Sequence, residues 1–196
     1  NLSIDEFIST DPQKISWNRG LKNDFSKGKL HGFSKESVVK GIYRPFTNTW
    51  VYFDKNFNDM TYQMPKVYPN GMKNIAISVT GNGAKTFSAF VSCFLPDIQL
   101  LFNGQSFPLY LYERSTNDDQ IDFDGQQQTD DMFNPKADVS DSGYQRKDGI
   151  SDAGLAHFTA AYPTEKISKE DVFYYVYGLL HSSDYRERYA DNLSKE

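Results

Sequence analysis

The chain has 196 residues, 38% of them hydrophobic and 15% aromatic, which suits one substantial packed domain, or a domain with a subdomain, and excludes general disorder. No run approaches the ~18 apolar residues of a membrane span, and no charged-then-apolar leader is read at its start. The net charge of −5 conceals a split: residues 1–112 carry twelve Lys/Arg against eight Asp/Glu, residues 113–152 four against eleven, and residues 153–196 five against seven. The mildly basic first part permits a phosphate-facing surface without demanding one.

The opening segment, to about Phe33, reads as helical. Ser3 and Glu6 have capping-box spacing, Asp11 can cap, and Pro12 fits a first helical position. Trp17, Leu21 and Phe25 recur every four residues, and Gly28 is a stop. A short helix is expected from Ser34 through "ESVVKGI". The first residue is Asn1 rather than Met, which points to an excised or processed chain.

Residues from about 41 to 112 read as β-rich. "TWVYFD" has apolar residues on both faces, so a strand covered on each side is expected. "NIAISV" alternates Ile75, Ile77 and Val79 with small residues, as a strand packed on one face would, and Asn70-Gly71 before it signals a turn. "DIQLLF" alternates again. "FPLYLY" is a further strand, with Pro108 marking its start or a sheet edge. Cys93, the lone cysteine, reads as a small buried hydrophobe and fits a reducing compartment.

Residues 113–152 form an acidic, aliphatic-poor stretch expected to be a linker or loop. Leu155, Phe158 and Tyr162 mark a helical face ended by Pro163. Ser168 and Asp171 open "KEDVFYYVYGLLH" with capping-box spacing, and Ser182 or Ser183 can cap a last helix carrying Tyr185, Tyr189 and Leu193. The expected fold is therefore α+β. A mixed or antiparallel β core over about 41–112 follows a helical lead-in and precedes an acidic linker (113–152) and a helical subdomain (153–196).

Reactive groups are scarce. "GNGAKT" lacks the adjacent Gly-Lys of a phosphate loop, because Ala84 separates Gly83 from Lys85. "GQSFP" has Pro108 where a nucleophile elbow needs glycine. His31, His157 and His181 lack metal-ligand spacing. Counted from Gln120, Asp122, Asp124, Gly125 and Asp131 approach a calcium loop, but two ligand positions depart from the pattern and no amphipathic helices flank it; a solvated linker is the simpler reading. Asn134-Pro135 is followed by Lys136, not by the proline and aromatic of an amino-methyltransferase loop.

"KGIYRPFTNTWVYFDKNF" interleaves cations with rings, an arrangement that could stack bases and neutralise phosphates, although the strand pattern assigns the rings to the core. Arg44, among rings and before Pro45, needs a partner: an internal carboxylate, a phosphate or a guanine.

Taken in order, "YRPF", "WVYFD", "FPLYLY", "ISDAGLAHFTAAYP" and "DVFYYVYGLLHSSDYRERYADNLSKE" resemble the C-terminal specificity region of type ISP restriction–modification enzymes, from about Trp17 to Glu196. In members of that family the last helix runs into Leu-Pro-Arg-Ile-Pro, which is absent here. The resemblance implies a cytoplasmic parent polypeptide with a nuclease, a DNA translocase and an adenine methyltransferase upstream, using ATP, S-adenosylmethionine and magnesium. This region would then be non-catalytic, hold no cofactor or metal, and read double-stranded DNA while docking on the methyltransferase. Base-reading candidates are Asn48, Lys66, Asn70, Lys73 and Gln105, with Arg44; docking candidates are Tyr174, Tyr177, Tyr185 and Tyr189. Three rivals stand: a docking domain that never touches DNA, a carbohydrate- or ligand-binding module using Trp17 and Trp50, and a hydrolase using Asp122 or Asp124, whose carboxylates would have to converge in a pocket with a base or metal.

Overall fold

The computed structural model describes residues 7–11, 13–14, 16–84, 86–114 and 143–193. Ser3, Glu6, Pro12, Lys85, Gln120, Asp122, Asp124, Gly125, Asp131, Asn134, Pro135 and Lys136 lie outside the described residues.

Helix α1 (Arg19–Ser26) starts after Trp17, later than expected. Asn18 caps it: Oδ1 accepts from the Leu21 amide at 2.7 Å, and Nδ2 donates to the Phe57 carbonyl at 3.0 Å. Asp11 instead accepts from the Gln13 amide in a turn. Leu21 is the buried residue of α1, whereas Trp17 and Phe25 form a ring cluster with Phe7.

The expected helix after Ser34 is replaced by a single 3-10 turn, Lys35–Ser37, running straight into strand β1 (Val38–Arg44). Val38 and Val39 explain the difference, since β-branched side chains are stiff in a helix and pack well on a pleated surface. Strand β1 pairs antiparallel with β2 (Thr47–Tyr52) and parallel with β5 (Leu95–Pro96). Glycine is required at position 41, where a Cβ would stand 2.9 Å from Val51 Cγ2. Val51 and Phe53 pack on a core of Val67, Tyr68, Ala76 and Leu95. Trp50 is 67% exposed while Tyr52 on the same face packs against Phe33 and Phe57, so the second face of β2 is covered at one end only.

A second sheet has the order β4 (Ala89–Ser92), β3 (Ala76–Val79), β6 (Gln105–Pro108), antiparallel throughout. As its central strand, β3 is buried on both faces, not one. Neighbouring side chains on a strand point oppositely, so Ala76 joins the first core while Ile77 joins a second, with Leu109 and Phe173. The Asn70-Gly71 turn is present, with Gly71 at φ +79° and the Met72 amide donating to the Pro69 carbonyl at 3.2 Å. It links a short helix, α2 (Met64–Val67), to β3.

Residues 97–102, expected as a strand, form turns together with Asn103. Asp97 Oδ1 accepts from the Gln99 amide at 2.7 Å, the Leu100 amide donates to the Asp97 carbonyl at 2.9 Å, and Phe102 and Asn103 adopt positive φ. This local Asx-type chemistry outcompetes the alternating pattern. Cys93 is exposed, because Ser92 takes the buried place at the end of β4, bonded to the Phe94 amide and carbonyl.

"FPLYLY" supplies two strands: Pro108 ends β6, and β7 (Tyr110–Arg114) pairs antiparallel with β8 (Tyr144–Asp148), which lies inside the stretch read as linker. Helices α3 (Asp152–Ala161), α4 (Lys169–His181), α5 (Ser183–Arg188) and α6 (Ala190–Leu193) complete the fold. Ser151 and Ser182 cap α3 and α5, and the Ser168–Asp171 capping box opens α4. Those bonds hold the Asp171 carboxyl below its usual range. Helix α4 presses Val172, Phe173, Tyr177 and Leu180 inward. The expected last helix breaks at Tyr189 into α5 and α6.

Asn74 holds these parts together. It is buried; Nδ2 donates to the Val67 and Tyr110 carbonyls, each at 2.7 Å, while Oδ1 accepts from the Ile75 and Tyr110 amides. One side chain thereby fills all its hydrogen-bonding capacity joining α2, β3 and β7. The fold is α+β, as the sequence indicates. Among the described residues, no helix is long and apolar enough to cross a membrane.

Candidate nucleic-acid interface

The β1–β2 hairpin turns through Pro45 and Phe46, with Arg44 opposite Thr47. Pro45 fixes its own φ near the value such a turn needs. Arg44 lies back on its neighbour: the guanidinium is 4.0 Å from the Tyr43 ring centroid, Nη1 donates to the Tyr43 carbonyl at 2.8 Å, and Asp97 Oδ1 is 3.9 Å away. Its partners are thus mainly within the hairpin, with a carboxylate at the limit of an ion pair. Thr47, Asn48 and Thr49 are exposed. The core role expected for the rings fails at three positions, since Tyr43, Phe46 and Trp50 are 50%, 91% and 67% exposed. The cores are filled by other residues, which leaves these rings outside. Lys40 sits across from Trp50, its ammonium 5.6 Å from both the Trp50 and Phe94 rings.

Concavities lie on both sides of this hairpin. A cleft of about 530 Å³ is walled by Tyr43, Thr49 and Val51, by the 58–64 segment and by the 97–104 turn. Its rim exposes Met60, Tyr62 and Ile98, and Met60, Tyr62 and the lining residue Asn103 hold positive φ. Backbone strain of that kind collects at functional surfaces. A second hollow of about 460 Å³ brings Lys40 and Trp50 together with Asn70, Lys73 and Phe94.

Arg44 and Asn48 therefore share the hairpin tip, and Asn70 and Lys73 share the second hollow. Gln105 is exposed on β6 opposite Val79, next to Gly104 of the cleft. Lys66 is half-buried and faces Glu113 at 3.9 Å. Sequence reasoning missed Phe46, Tyr62 and Phe102 as surface groups. The available signal was their position in turn-forming stretches rich in Asn, Pro and Asp.

The four terminal tyrosines do not form one surface. Tyr174 is 54% exposed, whereas Tyr177 packs on the second core and edge-on to His181. Tyr185 is half-buried with its ring 4.8 Å from the more exposed Tyr189. Tyr175, also exposed, stands edge-on to Phe158 of α3 at 5.5 Å, whereas Tyr174 stands edge-on to Phe173 at 5.6 Å. Among the described residues, no group of three or more His, Cys, Asp or Glu is placed to hold a metal.

A sequence profile of the Type ISP C-terminal specificity domain matches residues 2–196. The chain belongs to that family. Three solved structures resemble this specificity domain. The DrdV–DNA complex, seen by cryo-electron microscopy, is 34% identical over 91% of the chain, with a TM-score of 0.71. The ATP-dependent Type ISP restriction–modification enzyme LlaBIII bound to DNA is 32% identical over 93%, with a TM-score of 0.69. A nuclease-deletion mutant of the Type ISP enzyme LlaGI with a DNA substrate mimic is 26% identical over 99%, with a TM-score of 0.65. The specificity domain spans only 15%, 10% and 12% of those chains. No curated protein matches it.

Proposed function

We propose that this chain is the DNA target-recognition domain of a single-polypeptide, ATP-dependent restriction endonuclease and adenine methyltransferase, and that it is non-catalytic by itself. The observation that carries the reading is family membership together with three similar structures that all hold DNA. The S-adenosylmethionine, ATP and magnesium of such a parent would bind outside this chain, in a cytoplasmic protein. The β1–β2 hairpin, with exposed hydrogen-bonding side chains between the two hollows, is the surface offered to base edges. Arg44, Asn48, Asn70, Lys73 and Gln105 lie on or beside it. Phosphate contacts set register on the duplex, and base-edge contacts carry the sequence code.

The exposed tyrosines of α4, Tyr174 and Tyr175, are proposed to dock on the upstream methyltransferase. Docking without DNA contact is the second reading, favoured by the same two exposed rings. Trp50 remains available for stacking on a sugar, but the Lys40 ammonium over its ring suits an anionic partner better.

A titration of the parent protein with short duplex DNA tests the reading. Affinity should fall steeply between low and moderate salt; salt-independent binding refutes phosphate-driven contact. Exchanging this region between two related enzymes separates the readings. A transferred recognition sequence supports DNA reading, and an unchanged one supports docking alone.

A further inference from the structure

Phe46 is placed against two physical preferences at once. Its side chain is 91% exposed, and its φ is +65°, a region that costs a bulky residue strain and that glycine or asparagine occupies readily. Folding alone therefore favours a small residue at this turn. The ring does have a defined direction, since it stands edge-on to Phe90 with centroids 5.7 Å apart. The surroundings favour a polyanion: from Val38 to Tyr52 the hairpin carries Lys40 and Arg44 and no acidic residue. The ring sits at the two-residue turn, flanked by exposed Arg44, Thr47 and Asn48, with Asp97 the carboxylate near Arg44, at 3.9 Å.

We propose that Phe46 is an apolar wedge that enters between adjacent base pairs of duplex DNA, with Arg44, Thr47 and Asn48 holding the flanking backbone and base edges. This inference rests on the DNA-recognition reading above. Parting one base step costs stacking free energy, which the wider contact of an opened duplex offsets. A duplex that is already weakly stacked removes that cost, so a wedge must prefer it.

The test compares a short, fully paired duplex with the same duplex carrying one central mismatch, at equal salt, using the full-length protein that contains this chain. The wild type should bind the mismatched duplex about tenfold more tightly. Phe46→Gly should bring the ratio to about one while leaving the thermal midpoint unchanged or higher, because the backbone strain is relieved. Phe46→Leu should keep most of the preference. Equal wild-type affinity for the two duplexes, or a preference that survives Phe46→Gly, overturns the wedge. A lowered thermal midpoint in Phe46→Gly reassigns the ring to folding and also overturns it. If the wild type binds neither duplex, the DNA reading itself falls, a failure distinct from binding without preference.

Discussion

At the scale of single residues, hydrogen-bond completeness and steric closeness carry most of the consequence. Asn74→Ala would leave two buried carbonyls and two amides without their partner, and should cost about 2–4 kcal/mol. Asn74→Asp should cost a similar amount, because a carboxylate cannot donate to Val67 and Tyr110; the urea midpoints of both variants check this. Gly81 is equally constrained, since an added Cβ would stand 2.2 Å from the Asn103 carbonyl oxygen. Gly81→Ala should therefore lower stability by about 1–3 kcal/mol. Tyr110 contributes to the alkaline limit together with Tyr68 and Tyr112, whose hydroxyls burial also pushes up. Burial, then the hydroxyl's bond to Glu170, pushes the Tyr110 pKa from 10.0 up to about 12. Between those values the unfolded chain releases a proton that the folded one retains, so stability is complete below pH 10 and declines toward pH 12. Tyr110→Phe should remove this part of the decline, measured as thermal midpoint against pH.

At the scale of elements, Lys169 fastens the C-terminal helices to the β7–β8 pair. Its ammonium lies 2.8 Å from Asp148 Oδ2 and 2.5 Å from Asp152 Oδ1, joining the end of β8 to the first residues of α3 and α4. Asp152 is exposed and screening weakens the arrangement, so Lys169→Met should cost no more than about 1 kcal/mol, less in high salt. Helical elements with polar caps were legible from sequence: the capping box of α4 and the cap of α5 stand where the spacing puts them. The strands were less legible. Alternation in "DIQLLF" gave way to an Asx turn at Asp97, and the helix expected after Ser34 became β1 once its valines found pairing partners in Tyr52 and Val51. Pairing of that kind depends on segments distant in sequence, as does the placing of β8 opposite β7 across a long acidic insertion. The candidate site was half legible for the same reason. Arg44 and Asn48 fall on one hairpin, but only the fold shows that Trp50 faces outward and that Lys66 points to Glu113.

At the scale of the whole molecule, cations that meet DNA need not lie where sequence charge is densest. Lys40, above two rings beside the second hollow, should contribute one phosphate contact. Lys40→Gln should weaken binding evenly across DNA sequences and reduce the slope of log affinity against log salt by about one. Strand β3 has a broader consequence. Its neighbouring residues Ala76 and Ile77 face opposite ways, one toward the core beneath the hairpin and the other toward the core beneath α4. The hairpin part and the helical part are thus two rooms with a common wall, and loosening one should weaken the other. Backbone amides from 76 to 79 should be among the last to exchange with deuterium. Deleting α4 should loosen the hairpin tip, whose Phe46 rests on Phe90 of β4, a strand that α4 contacts.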